Sequence, residues 1–527
     1  MSGTHLFELV IAMFLAIIAL HYLARRLSLP PSVALLAGGI MLAFIPGLPT
    51  ITVDPELVLV IFLPPLLMDG AWFIAIGRLK RHIFGIASLA VGAVFFTCMV
   101  VTVVTHMLFP SLSWAACAAL GAIVSPPDAV AARAVLERVE LPRRLEILLE
   151  GESLLNDASG LVLFRFAVAS VATGTFDAAA AAGSFLVLAL GGAGVGTVVG
   201  YAWVKFVSRL GDEYLIIATT TLLAWISYLL SETLQVSGVI ATVTTGLIAT
   251  WHQHTVFSAA TRIRGTSFWT VVVFLMEAAV FILIGLSLRD VVERGGGFET
   301  LLSTMGLPAL VILVALVLAR FAWVFGSEGV VKFFNSIGFA STQPLSIGGS
   351  TVLGWAGIRG VVTLALALSL PEDFPGRDFI LVTSVTVILG TVLVQGTTLG
   401  RVILWAQLSE AESEKAPLTI SQAEAAMAQA QFMTIQKLAY DPEGELIHPQ
   451  LLQQYERRAT AMIDYAARTE EYAPTLHAHF DIILAAVATG REELIRLHRL
   501  GEIDDETLLE LERDLDLEEL SAISAKA

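Results

Sequence analysis

Long apolar stretches recur along the chain as far as about residue 405, and they constrain its fold more than any other feature. An apolar stretch of about 20 residues crosses the hydrocarbon core of a bilayer as a helix. In lipid its backbone groups must bond internally, which excludes open sheets and lipid-exposed loops. The pattern predicts an all-α polytopic membrane protein with about thirteen transmembrane helices, at residues 5–24, 31–48, 56–76, 83–109, 113–135, 145–173, 183–208, 213–230, 236–251, 266–288, 304–326, 347–370 and 378–406.

Composition agrees with this class and divides the chain in two. Only 15% of the residues are charged and 56% are hydrophobic, whereas about 25% of the residues of a soluble domain are charged. Charged residues return to soluble density after about residue 405. We therefore predict a transmembrane domain at 1–407 and a cytosolic helical domain at 408–527. No Lys or Arg precedes the first apolar run, so we expect a retained helix there rather than a signal peptide.

Basic residues in the loops predict the orientation of the helices. They cluster after the odd-numbered helices, whereas the loops after helices two, four, six and eight contain no Lys or Arg. Cytoplasmic loops of membrane proteins carry the excess of Lys and Arg. The N-terminus is therefore predicted to lie outside and the C-terminal tail in the cytoplasm.

Two of the predicted helices are interrupted. In the fifth, Pro126 and Pro127 remove backbone donors; in the twelfth, closely spaced glycines surround Arg359. Interrupted helices in corresponding places of inverted repeats indicate a transporter's binding site. Half-helix ends carry partial charges, which Asp128 could offset at the positive ends and Arg359 at the negative ends.

The sixth predicted helix carries the stretch GESLLNDASG at residues 151–160. Helical spacing places Ser153 and Asp157 on one face, and likewise Glu152 and Asn156. Carboxylate, hydroxyl and carbonyl oxygens are ligands that hard cations prefer. Burial disfavours the charged form of a carboxyl group, so Asp157 could hold either a proton or a cation. Competition for that site, combined with alternating access, predicts obligatory exchange.

Five motifs resemble the monovalent cation:proton antiporter-1 family, the bacterial and archaeal sodium/proton exchangers. They are FLPPLLMDGAW (62–72), SPPDAVAA (125–132), GESLLNDASGLVLF (151–164), FLMEAAVFILIGLSL (274–288) and GIRGVVTLALALSLP (357–371). The resemblance covers nearly the whole membrane domain. It implies the sodium/proton antiporter fold, with inverted repeats and two interrupted helices that cross.

The resemblance also implies a role for each site residue. The residues implied to bind the ion or proton are Asp157, Ser153, Glu152, Asp128 and the backbone carbonyl of Pro127, with Na+ held by Asp157, Ser153 and Glu152. The supporting residues are Asn156, Asp69, Arg359 and Glu277. Asn156 would bond to Asp69, where the family usually has Glu, and Glu277 would pair with Arg359. Arg320 resembles a family arginine for which we expect a structural role.

These features predict a secondary antiporter that exchanges Na+ or Li+ for H+ across the cell inner membrane, for pH and sodium homeostasis. Electrogenic relatives usually carry Asp-Asp where this chain has Asn156-Asp157, so one proton per cation, and hence electroneutral exchange, is expected. We expect no enzymatic activity, no cofactor and no nucleic-acid partner. The expected partners are membrane lipids, monovalent cations, protons and a second copy in a homodimer.

Three alternatives remain open from the sequence. A K+/H+ antiporter would use the same oxygen ligands, and a cation channel would use similar carboxylates. An intramembrane protease could use Asp128 and Asp157 as a catalytic dyad, although no Gly-x-Gly-Asp element is present. For the tail, a regulatory or dimer-forming role and a solvated helical appendage are equally compatible with the pattern.

Overall fold

The computed structural model describes residues 3–27, 29–45, 55–73, 80–128, 141–174, 178–294, 297–337, 344–408, 418–441 and 444–526. The elements in these ranges are all helical, which confirms the predicted fold class. The chain divides into two compact units, Met1–Ser413 and Glu414–Ala527. This division falls close to the boundary placed at residue 407 from composition.

The first unit consists of fourteen helices in the described ranges. In chain order they are α1 (Gly3–Arg26), α2 (Pro31–Ala43), α3 (Pro55–Phe73), α4 (Ile83–Leu108), α5 (Trp114–Val124), α6 (Arg143–Thr173), α7 (Ala178–Val207), α8 (Glu213–Thr233), α9 (Gly238–Val256), α10 (Ala259–Arg294), α11 (Phe298–Ser336), α12 (Ile347–Trp355), α13 (Val361–Leu368) and α14 (Arg377–Trp405). Three of them contain a π-helical segment, Ser88–Ala93 in α4, Leu302–Gly306 in α11 and Thr391–Gln395 in α14.

Among the described residues, seven helices are long and apolar enough to cross a membrane: α4, α6, α7, α8, α10, α11 and α14. Three shorter apolar helices lie at Pro31–Ala43, Leu59–Trp72 and Trp114–Val124. The multi-pass architecture is therefore confirmed, while the total of thirteen spans stays a prediction.

The two predicted interruptions are present. Helix α5 ends at Val124, and the chain then runs without helical structure from Ser125 to Asp128. The second half of the predicted fifth span, after Asp128, lies outside the described residues. The twelfth span is divided into α12 and α13 by the non-helical residues 356–360. Proline and closely spaced glycines thus interrupt these helices where the sequence indicated.

Glycines at four-residue spacing allow α7 to pack tightly against α9. A Cβ on Gly192 would lie 2.5 Å from the carbonyl oxygen of Ser237, and one on Gly196 would overlap that of Ala241. In addition, Thr245 Oγ1 donates to the carbonyl of Gly196 at 3.0 Å. Small residues permit close helix contacts of this kind in membranes, so packing is their role. Cys98 and Cys117 are likewise buried and unbridged.

The second unit contains α15 (Ile420–Leu438), α16 (Pro449–Ala467), α17 (Thr469–Arg499) and α18 (Asp505–Lys526). Helix α15 begins with a capping box between Thr419 and Gln422, which satisfies donors of its first turn. Helices α17 and α18 are joined by a turn in which Gly501 has φ +71°. Arg491 on α17 contacts Asp516 and Glu519 on α18, each at 2.6 Å. The tail is therefore helical, as predicted.

We expect Gly196→Ala to lower the melting temperature of the full-length protein in detergent. The added methyl group has no room beside Ala241, and such overpacking costs about 1–3 kcal/mol. Gly194→Ala on the same helix is the matched control, because no atom lies within 4 Å of the added Cβ. Equal melting temperatures for the two variants would contradict the close α7–α9 contact.

Candidate functional site

The two interruptions meet through their main chains. The amide of Asp128 donates to the carbonyl of Ile358 at 2.7 Å. A Cβ on Gly360 would overlap the carboxylate of Asp128. Only glycine allows the second interrupted segment to approach the first this closely, so Gly360 is a requirement of the crossing.

Charged side chains compensate the helix ends exposed at the crossing. Asp128 Oδ2 accepts from the amide of Val361, the first residue of α13, at 3.1 Å. Arg359, fully buried, donates from Nε to the carbonyl of Val124 at 2.7 Å and from Nη2 to that of Ser125 at 2.9 Å. Because helix N-termini are partly positive and C-termini partly negative, each charge has the sign that its helix end requires. The structure places both residues as the sequence suggested.

The ion pair expected between Arg359 and Glu277 is wrong. Within the described part of the chain, all three guanidinium nitrogens of Arg359 donate to carbonyl oxygens, the third to that of Gly357. An interrupted helix leaves its last carbonyls without donors, and these take up the guanidinium. The backbone amide of Arg359 bonds to Thr391 Oγ1, in the π-helical segment of α14, at 3.0 Å. Thr391 is a contact that sequence reasoning missed.

Helix α6 places Ser153 and Asp157 beside this crossing, and both side chains are half-buried. Gly160, one turn further, lies so close to Pro126 that a Cβ would be 2.7 Å from its ring. Among the described residues, the carboxylate of Asp157 has no hydrogen-bond or ion-pair partner, and the like charge of Asp128 lies within electrostatic range. A half-buried carboxylate in this position is suited to bind a proton or a cation.

Asn156 supports the crossing from α6, but through a different partner from the one expected. Its Nδ2 donates to the carbonyl of Pro127 at 2.5 Å, whereas the sequence suggested a bond to Asp69, so that expectation is wrong. This carbonyl lies in the non-helical segment that runs from Ser125 to Asp128, where a side-chain amide can act as its donor. Asp69 is buried on α3. The side-chain oxygen of Asn156 is buried without a partner among the described residues.

Glu152 and Arg320 form a buried ion pair that sequence reasoning missed. The two guanidinium nitrogens contact the two carboxylate oxygens at 2.6 and 2.8 Å, and the residues are 1% and 2% exposed. Arg320 Nε also donates to the carbonyl of Leu353, in the last turn of α12, at 3.2 Å. Arg320 therefore joins α6 to the end of α12, and both carboxylate oxygens of Glu152 are engaged by its guanidinium group. The signal was present, because a charge at bilayer depth usually needs an opposite partner.

The polar groups at the crossing are oxygen donors. Asp157 offers a carboxylate, Ser153 a hydroxyl and Pro127 a carbonyl that already accepts one bond. Hard monovalent cations prefer oxygen ligands, whereas transition metals favour imidazole or thiolate. The arrangement therefore suits a transported alkali cation or a proton.

We expect Glu152→Gln and Arg320→Gln each to destabilise the protein, by about 3–5 kcal/mol, because each leaves one buried charge unpaired. The double variant Glu152→Gln/Arg320→Gln removes both charges and should recover part of the loss. Denaturation of the single and double variants in one detergent measures the coupling. Strictly additive losses would contradict the buried ion pair.

Comparison with known proteins places this geometry in a family. The family described as "Sodium/hydrogen exchanger, transmembrane" matches residues 10–405. A protein of Mycobacterium tuberculosis, named as an uncharacterized Na(+)/H(+) exchanger, is 30% identical over 527 residues, covering 98% of this chain and 96% of the relative. The sodium, potassium, lithium and rubidium/H(+) antiporter of Bacillus subtilis is 34% identical over 409 residues, covering 73% of this chain and 60% of the relative.

The fold also matches a solved structure. The sodium proton antiporter MjNhaP1 of Methanocaldococcus jannaschii at pH 8 superposes with a TM-score of 0.59 at 20% identity, covering 76% of this chain and 98% of that one. At this level of identity the likeness establishes the fold. Together with the family match over most of the chain, it leads to one conclusion: the chain belongs to the sodium/hydrogen exchanger family.

Proposed function

We propose that the protein is a secondary antiporter that exchanges Na+ or Li+ for H+ by alternating access. The observation that carries the proposal is the position of Asp157. Its carboxylate is half-buried beside two crossing interrupted helices and has no partner among the described residues. A carboxylate held there without a counter-charge needs a proton or a cation to neutralise it.

Asp157 is the group for which the two substrates compete. With a cation bound, Ser153 Oγ and the carbonyl of Pro127 complete the ligand set. When Asp157 is protonated, the proton already neutralises the carboxylate, and the cation leaves. Because the empty charged site is costly to move through the low-dielectric membrane interior, only the loaded forms change sides, and the two fluxes are coupled.

The surrounding residues hold this site in place. Asn156 fixes the Pro127 carbonyl, and Asp128 and Arg359 neutralise the helix ends. We assign Glu152 to support rather than to direct cation binding, because Arg320 contacts both of its oxygens. Asp69 and Glu277 remain predicted supporting residues.

One proton per cation follows from the titratable groups at the site. Asn156 cannot ionise, and the carboxylate of Asp128 already accepts a hydrogen bond from the amide at the positive end of α13. Asp157 is then the single carboxyl group at the crossing that gains and loses a proton. We propose electroneutral exchange of one proton for one monovalent cation.

The cellular setting follows from the same reasoning. We place the protein in the cell inner membrane, with the N-terminus outside and the helical tail in the cytoplasm, in accordance with the loop charge. We propose a homodimer that serves pH and sodium homeostasis. K+ is a second candidate substrate, because the Bacillus subtilis relative is named as an antiporter of sodium, potassium, lithium and rubidium.

We expect Asp157→Asn to abolish cation-induced pH changes in everted membrane vesicles, because asparagine can neither carry the proton nor neutralise the cation. Na+, Li+ and K+ are added in turn, and the largest response identifies the substrate. Glu372→Gln, at an exposed acid between α13 and α14, is the matched control and should retain wild-type exchange. Exchange retained by Asp157→Asn would exclude the proposed mechanism.

We expect transport by the purified protein in proteoliposomes to be insensitive to membrane potential, because one positive charge crosses in each direction. Gradients of the permeant anion thiocyanate set the potential, since K+ is itself a candidate substrate, while Na+ uptake is measured at constant pH gradient. Uptake that changes with the imposed potential would rule out one-to-one exchange. It would require a second titrating group beside Asp157.

A further inference from the structure

A cavity of about 320 Å³ lies away from the crossing, where α4 and α6 begin and α11 ends. Its walls come from these three helices and from Leu353 of α12. It opens at the surface of the membrane unit beside Phe84, which is 88% exposed. By the loop charge, this end of the unit faces the cytoplasm.

The polar rim of the cavity is basic. Arg81 and Arg144 both line it, and Arg144 has no ion-pair partner among the described residues. Glu328 is the acidic residue of the lining, and its Oε2 accepts from the amide of Leu345 at 2.7 Å. Lys332, exposed on α11, adds a further positive charge nearby. The rim therefore has a positive balance and attracts anions.

Two helix N-termini strengthen this charge. The N-cap residues are His82 for α4 and Pro142 for α6, and neither makes a side-chain capping hydrogen bond. The first amides of an uncapped helix point toward the space before it and favour a negative group there. Residues of both first turns line the cavity, so two partly positive helix ends act together with the arginines.

Most of the remaining lining is apolar and reaches the exposed surface of the membrane unit. Phe84 of α4 and Val330, Val331 and Phe334 of α11 line the same cavity. Val330 is 55% exposed and Phe334 44% exposed. A basic rim beside exposed apolar residues is complementary to a molecule with an anionic head and a hydrocarbon tail. A free anion would leave the apolar half without a partner.

We propose that this cavity binds an anionic phospholipid of the surrounding membrane, with the phosphate between Arg81 and Arg144 and an acyl chain along α11. The ligand would lie close to the ion pair that supports the transport site, because Leu353 both lines the cavity and accepts from Arg320. Binding is independent of the transported cation and of the exchange stoichiometry.

The test is lipid binding to the purified full-length protein in a neutral detergent, with dioleoylphosphatidylglycerol and dioleoylphosphatidylcholine as probes. Native mass spectrometry counts bound lipid, and the melting temperature reports stabilisation. We expect phosphatidylglycerol to bind and to raise the melting temperature, and phosphatidylcholine to do neither. Each interfacial Arg contributes about fivefold in affinity, so Arg81→Gln/Arg144→Gln should weaken binding about 25-fold.

Two further variants separate a local loss from a general one. Arg209→Gln removes an exposed arginine after α7 and should bind phosphatidylglycerol as the wild type does. Arg81→Lys/Arg144→Lys keeps both charges and should retain most of the affinity. This variant also tests the site if Arg81→Gln/Arg144→Gln does not fold. Loss of binding in Arg209→Gln equal to that in Arg81→Gln/Arg144→Gln would overturn the site.

Three other outcomes would also contradict the proposal. Equal binding of phosphatidylcholine would reduce the cavity to an apolar surface without selectivity for charge. Stabilisation by inorganic phosphate alone, at the same concentration as the lipid, would assign the site to a free anion. Wild-type affinity in Arg81→Gln/Arg144→Gln would place the bound lipid elsewhere on the membrane unit.

Discussion

The contact of Arg359 with the end of α5 is the interaction on which the rest of the membrane unit depends. Interrupting two helices at bilayer depth exposes carbonyl and amide groups that each cost several kcal/mol in hydrocarbon. Arg359 takes up the carbonyls of Val124 and Ser125, and Asp128 takes up the amide of Val361. Arg359, from the second interrupted segment, therefore neutralises the end of α5, and Asp128, from the first, neutralises the start of α13. Without them, these backbone groups would be buried without partners, and the crossing would be destabilised.

The transport site follows from that crossing. Helix α6 approaches it closely because Gly160 leaves room for Pro126, and Asn156 then bonds to the carbonyl of Pro127. The ion pair of Glu152 and Arg320 joins α6 to α11, and Arg320 also donates to the carbonyl of Leu353 at the end of α12. Every charged group named here is thus engaged with a helix end or with another charge, except Asp157. Among the charged groups at the crossing that the structure describes, Asp157 is therefore the one whose charge a substrate can neutralise.

The sequence predicted much of this, and the reasons for its successes and failures are physical. Hydrophobic spans, the proline pair and closely spaced glycines are local signals, so the helices and both interruptions could be predicted from the sequence. Which partner a buried polar group selects depends on positions brought together from distant spans. Hence the Pro127 partner of Asn156, the Arg320 partner of Glu152 and the carbonyl partners of Arg359 were not found. In each case the side chain contacts an oxygen or a charge that lies close in space, instead of taking the role that the family resemblance implied.

The central claim is that one carboxyl group holds either the proton or the cation. Calorimetric titration of the purified protein with Na+, in buffers of different ionisation enthalpy, measures both cation binding and proton release. We expect one proton to be released per cation bound wherever Asp157 is protonated, with the apparent affinity for Na+ falling about tenfold per pH unit of acidification. Asp157→Asn should show neither signal. Cation binding that releases no proton at any pH would contradict the account.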